Sequence, residues 1–158
     1  MVAVTLATCG TTMALSAMPA SARTITLHFF SKQVYSSFTG PTGQPLGPTA
    51  APALGDRFSF ADDDYVGNHR HHARTPFASD HSDCTIVSAG TALCDGQLAL
   101  GGSMLFANNF AVSTSSSSGP SKVPINGGTN QYRHAHGTVL TKSLPHSNNT
   151  DTTVIFTP

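Results

Sequence analysis

At 158 residues the chain suits one domain with a real core. Eight Lys and Arg balance eight Asp and Glu for a formal net charge of +0, so no long-range field draws nucleic acid or an anionic membrane to it. Only 10% of residues are charged, there is no Glu and no Trp, and Ser, Thr and Gly are abundant, a composition poor for surface helices that leaves Thr, Val, Ile, Phe and Tyr to do the patterning as strands.

Residues 1–22 read as a cleavable export signal. Met1 to Leu15 is largely apolar and uncharged, and Ala20-Ser21-Ala22 has the small-residue form of a cleavage site. The basic residues that usually precede such a run are missing, which points to a start inside a longer signal or to a misassigned start. The run is too short for a membrane anchor and is broken by Gly10 and Pro19. Cys9 sits in an imperfect lipidation box. The expectation is a secreted protein, with no membrane attachment in its mature form and one β domain over residues 23–158.

In chain order, Thr24 to Thr39 alternates as a long first strand. Gly40 to Gly55, with four prolines in sixteen residues, is a surface loop. Asp56 to Asn68 is the second strand, followed by a His-rich connection over Asn68 to Ala73. Ser79 to Ser88 is the next strand, and Ala92 to Leu105 and Ser103 to Ser113 make a pair whose boundary lies near Gly101-Gly102. Ser113 to Ser121 is a low-complexity loop. Val123 to Ile125 and Gln131 to Lys142 are read as a hairpin around Gly127-Gly128, with both glycines at positive φ and Tyr132, His134 and His136 alternating with Arg133 and Ala135. A turn at Pro145 to Asn149 leads to a last strand, Thr152 to Thr157. About eight antiparallel strands with both faces partly apolar are best satisfied by a closed β-barrel, since closure removes the exposed edges.

Two short strands around Ser88-Ala89-Gly90 bring Cys84 and Cys94 side by side, so a disulfide is expected. A metal pair or a catalytic thiol competes with it, without Cys-x-x-Cys spacing or basic neighbours in support. His69 and His71 share one face of an extended segment with His72 on the other, and His134-x-His136 repeats that spacing. Such pairs share a divalent ion only where a third ligand converges, and His81, Asp80 or Asp83 is at hand to supply one. The commoner state of His-x-His on a strand is exposed or hydrogen-bonded without metal. On the second strand, alternation sets Asp62 and Asp64 on one face with Phe58 and Phe60, and Asp63 on the other with Tyr65. Carboxylates on an aromatic face have raised pKa and serve as general acids; a solvated strand end or a rim cation site is the competing reading. The interior is expected to draw on Phe29 or Phe30, Phe58, Phe60, Leu98, Leu100, Met104, Phe106, Phe110 and Tyr132, with His28, Asn108, Asn109, Tyr132 and Arg133 as the polar groups facing a pocket or its mouth. Such a lining is equally that of a plain core. No Gly-x-Ser-x-Gly elbow and no phosphate-cradling loop before a helix is present.

The order Gly55-Asp-Arg-Phe58, Cys84-Thr-Ile-Val, the strand from Gly96 ending in Gly-Gly, and Ile125-Asn-Gly-Gly-Thr129 with Tyr132 and Gly137 resembles the allene oxide cyclase and dirigent barrel superfamily, over roughly Thr24 to Thr157. The secreted microbial branch labelled allene-oxide-cyclase-like is the most similar in flavour. The resemblance implies an eight-stranded barrel that binds a small hydrophobic or phenolic molecule and steers its stereoselective cyclisation or coupling by shape and water exclusion, without a metal or organic cofactor. It also implies a homotrimer.

Carried over residue by residue, the resemblance thins. The cyclase branch uses an acidic residue in its first strand, whereas Thr24 to Lys32 holds no carboxylate, which puts cyclase activity in doubt. The dirigent branch uses aspartates near the lumen, for which Asp62 and Asp64 are the candidates. His28, Phe30, Phe58, Phe60, Asn109, Tyr132 and Arg133 are the pocket candidates. Thr129-Asn130 stands where the family usually has a third glycine. Two other readings stay open: an extracellular interaction protein with a filled barrel, and a metal-binding module built on His69, His71, His81, His134 and His136.

Overall fold

The structure is a computed structural model that describes residues 23–47, 49–114 and 120–158. The expected export signal and Cys9 lie outside the described residues, as does the middle of the Ser-rich loop. Ten strand segments follow one another: β1 (Ile25–Thr39), β2 (Arg57–Asn68), β3 (His71–His72), β4 (Ala78–Ser88), β5 (Thr91–Leu100), β6 (Ser103–Ser113), β7 (Ser121–Ile125), β8 (Gly127–Gly128), β9 (His136–Ser143) and β10 (Thr150–Thr157). Among the described residues the one helical element is a 3₁₀ turn over Asn130–Tyr132.

Nine of the segments form a continuous antiparallel sheet in the order β7-β9-β10-β1-β2-β4-β5-β6-β8, with β3 folded back on β2. The first strand lies beside the last, Ile25 opposite Phe156 and Ser31 opposite Thr150. The result is a nearly closed barrel of nine strands, where eight strands and full closure were expected. The extra strand arises because the chain divides at Asn126. Ile125 pairs with Gly137 of β9, and two residues later Gly127 pairs with Phe106 of β6, so one segment spans both edges of the seam.

Side chains replace the ladder there. Asn126 accepts from the Asn108 backbone N–H at 3.0 Å and donates to the Asn108 carbonyl at 2.8 Å, while its own N–H donates to the Phe106 carbonyl at 2.9 Å. Thr129 Oγ1 accepts from the Met104 N–H at 2.9 Å and Asn130 Nδ2 donates to the Gly102 carbonyl at 3.0 Å. Thr129 and Asn130 are thus, with Asn126, clips that hold the seam.

The glycine pair differs from expectation as well. Neither Gly127 nor Gly128 is among the residues at positive φ; both run extended against β6. Gly128 is required by proximity, since a Cβ there would stand 2.3 Å from the Met104 carbonyl oxygen and 2.5 Å from that of Tyr132. The strand expected over Tyr132 to Ala135 is a turn, because Thr129, Asn130 and Tyr132 carbonyls accept from Tyr132, Arg133 and Ala135 in succession, which uses up the groups a ladder would need.

Alternation does the rest. In β5 Ala92, Cys94, Leu98 and Leu100 point inward, and in β10 Thr152, Val154 and Phe156 do. Phe29, Leu100, Ala135, Val154 and Phe156 form one apolar cluster, and Cys84, Ile86, Ala92 and Cys94 form a second with Phe58, Phe110 and Val112 packed on it. Cys84 and Cys94 are opposite each other in the β4–β5 register and are joined as a disulfide. No helix among the described residues is long and apolar enough to cross a membrane.

Candidate functional site

Between the two clusters the lumen is open, with a cavity of about 250 Å³. Phe58 and Phe60 of β2, Phe29 of β1, Phe106 and Phe110 of β6, the Cys84–Cys94 bridge and Leu98, Leu105, Ile125 and Val154 give it apolar walls. One wall is different. Asp62 and Asp64 of β2 and Asp80 of β4 all border the cavity, with Ser31, buried beside Asp64, and Thr152 next to them.

Strand geometry makes this grouping. Asp62 and Asp64 are two apart and share a face; Asp80 lies directly opposite Asp62 in the β2–β4 register, and Ser31 directly opposite Asp64 in the β1–β2 register. Ser31 Oγ donates to Asp64 Oδ1 at 2.5 Å and lies 2.9 Å from Thr152 Oγ1, which in turn is 3.0 Å from Thr150 Oγ1. Beyond that chain the carboxylates are under-served: Asp62 Oδ1, Asp64 Oδ2 and Asp80 Oδ1 are buried with no hydrogen-bond partner. Among the described residues no Lys, Arg or His borders the cavity.

Three carboxylates in an apolar lumen cannot all ionise. Burial raises the Asp80 carboxyl to about 8, helped by Asp64 and Asp62. Burial likewise lifts Asp62 to about 6, with Asp63 adding to it, and lifts Asp64 to about 6 against the lowering effect of its Ser31 hydrogen bond. Around neutral pH the wall therefore holds a protonated acid beside two groups poised between acid and base.

The structure places the other expected site residues unevenly. Phe58 and Phe60 line the cavity together with Asp62 and Asp64. Phe30 points outward instead, stacking near Tyr65 and His72 at ring distances of 6.3 and 4.7 Å, because it is Phe29 whose parity is inward. His28 is exposed and meets Thr153 on the outer face. Asn109 is exposed at a β6 irregularity with φ 57, Arg133 is exposed, and Tyr132 packs edge-on against Phe156 at 5.2 Å, outside the cavity. Leu100 and Met104 also lie outside it.

The histidines do not converge. His69 Nδ1 lies 2.6 Å from Asp151 Oδ2, His81 Nδ1 lies 3.6 Å from Asp83 Oδ2, His71 pairs with Asn68, and His134 and His136 are exposed near the start of β9. Among the described residues no group of three or more His, Cys, Asp or Glu is arranged to hold a metal ion. Sequence reasoning missed Asp80 as a partner of Asp62 and missed Ser31 and Thr152 altogether. A signal was available for Asp80: with Gly90 as the turn, counting back from the Cys84–Cys94 pair sets Asp80 opposite Leu98 on the inward face.

A more open hollow of about 660 Å³ lies where β1, β2 and the turn before β10 meet, lined by Ser36, Ser59, Asn148 and Asn149 among others. It shares Phe58 and Phe60 with the inner cavity.

No family model and no curated protein sequence matches the chain. Solved structures do. A pyocyanin demethylase is similar at 18% identity and TM-score 0.62, covering 84% of this chain and 100% of that one. AbnU, an exo-specific intermolecular Diels-Alderase, is similar at 13% identity and TM-score 0.65, covering 85% and 96%. The pterocarpan synthase dirigent protein GePTS1 is similar at 17% identity and TM-score 0.57, covering 96% and 99%. The chain shares its barrel fold with these proteins.

Proposed function

We propose that the protein is a secreted barrel, of the microbial allene-oxide-cyclase-like kind, that takes a small hydrophobic or phenolic molecule into its lumen and steers a cyclisation or coupling without a cofactor. The observation that carries this reading is the cavity itself, with aromatic walls and a single wall of proton-exchanging carboxylates. At about 250 Å³ it is near the lower end of small-molecule sites and suits a compact ligand. Phe58, Phe60 and Phe110 hold a flat apolar body and exclude water, which strengthens every polar interaction inside. Asp80, protonated at neutral pH, donates a proton to an oxygen that leaves or turns into a hydroxyl, and Asp62 or Asp64 accepts one from a phenol or an acidic carbon. The walls fix which face reacts.

A demethylase, a Diels-Alderase and dirigent proteins on the same fold support a small-molecule reading, while the filled interior that an interaction protein requires is not what the lumen offers. The Cys84–Cys94 bridge supports an oxidising compartment, and the assembly proposed with this reading is a trimer, which a monomer mass in light scattering would reject. The direct test is thermal denaturation of the chain with a panel of compact phenols and apolar alcohols. We expect at least one to raise the Tm by several degrees, and the cavity-filling change Val123→Phe to abolish that shift. A panel that leaves the Tm unmoved counts against the reading.

A further inference from the structure

The reading of the lumen as a ligand site leaves its charge unexplained. A pocket for a neutral phenol needs one or two polar groups to fix orientation. This one holds three carboxylates, with three buried oxygens lacking any partner and a residue as enclosed as Asp64, 1% exposed. Nor do the described residues provide a counter-charge. β1 turns Ser31 inward and Lys32 outward; β2 turns Asp62 and Asp64 inward and Asp63 outward; β4 turns Asp80 inward while His81 meets Asp83 outside. β5 contributes Leu98 and β10 contributes Thr152 and Val154. Uncompensated buried carboxylates of this sort are costly, and a fold that keeps three facing one cavity gains most from a ligand that neutralises them.

Resting on that reading, we propose that the natural ligand carries a cationic nitrogen, an ammonium or protonated heterocyclic N–H, on a compact aromatic or aliphatic body. The nitrogen sits against the wall that Asp62, Asp64 and Asp80 give the cavity, and the body lies among the phenylalanines. Two independent features of the walls favour this charge. Hydrogen bonds between an ionised donor and a carboxylate are roughly twice as strong as neutral ones, and aromatic faces such as those of Phe58 and Phe60 attract a desolvated cation. Binding draws the carboxylates toward ionisation, so protons shared among this wall leave in part for solvent as the ligand enters. Affinity consequently rises with pH through the range in which these groups titrate and falls on acidification.

The probes are 2-phenylethylammonium and its neutral isostere 2-phenylethanol, measured by calorimetry on the full chain. We expect the amine to bind at least tenfold more tightly than the alcohol at pH 7, to lose at least tenfold in affinity between pH 7.5 and 5.5, and to show a heat that differs between phosphate and Tris in the sense of proton release. Asp80→Asn weakens the amine at least tenfold; the outer-face change Asp83→Asn does not. If Asp80→Asn fails to fold, Asp62→Asn and the two-buffer measurement on the unaltered chain still decide. Equal or tighter binding of the alcohol overturns the cationic assignment and leaves the small-molecule reading standing. Binding of neither probe, with no compact phenol raising the Tm, overturns both. Calcium alone displacing the amine marks a hard-cation centre and likewise overturns the proposal.

Discussion

Asp62, Asp64 and Asp80 bind their protons more tightly in the folded chain than in the unfolded one, and the sign of the consequence follows. From about pH 4, where unfolded carboxyls ionise, up to the raised values of about 6 and 8, the native state holds the extra protons. Stability therefore falls as pH rises through that window, by about 1.4 kcal/mol per pH unit for each proton retained, and levels off above it. Urea midpoints taken from pH 5 to pH 9 check this; a midpoint that climbs over the range contradicts it. Asp80→Asn should raise stability at pH 8 by on the order of 1 kcal/mol or more and flatten the profile. Asp62 and Asp64 were legible beforehand because period-two alternation ties them to Phe58 and Phe60. Asp80 takes its inward parity from Cys84 four residues on, but its place opposite Asp62 depends on the register between β2 and β4, a long-range fact that no local pattern carries, and its neighbour His81 pointed to metal instead.

Among the elements, the β4–β5 hairpin was the most readable: Gly90 at φ 80 turns the chain and sets Cys84 opposite Cys94. Closing that loop, with a sequence separation of 10, contributes about 2–3 kcal/mol. Cys84→Ser with Cys94→Ser should lose that much in urea denaturation, and an unchanged midpoint would show the bridge to be dispensable. The region from Val123 to Leu140 was readable only in part. Of its glycine pair, Gly128 marks a special backbone, but for close approach rather than positive φ, and Gly127 marks neither. Gly127→Ala, whose Cβ would meet only Phe106 at 4.0 Å, is expected to cost under about 0.5 kcal/mol. Gly128→Ala pushes into two carbonyl oxygens and should cost about 3 kcal/mol; near-equal Tm values for the two variants would remove the seam's dependence on Gly128. Tyr132 to Ala135 alternate as a strand would, yet clip-forming Thr129 and Asn130 commit the backbone to a turn first.

For the molecule as a whole, all-β character was readable from composition, whereas the ninth strand was not. A two-residue strand such as β8 leaves no periodicity to detect, and it exists only because β6 stands beside it. Likewise the lumen's contents depend on which of two adjacent phenylalanines turns inward, decided for Phe29 over Phe30 by pairing with β10.

That pairing has a kinetic side. Ile25 finds Phe156, and His28 finds Thr153 some 125 positions along the chain, so the opening strand, paired on one side with β2, keeps its other edge bare until the final one exists. Closure is then a late, non-local event, of the kind that folds in milliseconds to seconds rather than microseconds. A growing chain therefore stays open until its last strand has emerged. Removing residues 150–158 should leave a chain with no cooperative thermal transition, and a cooperative melt from that truncation would show that the remaining strands close without it.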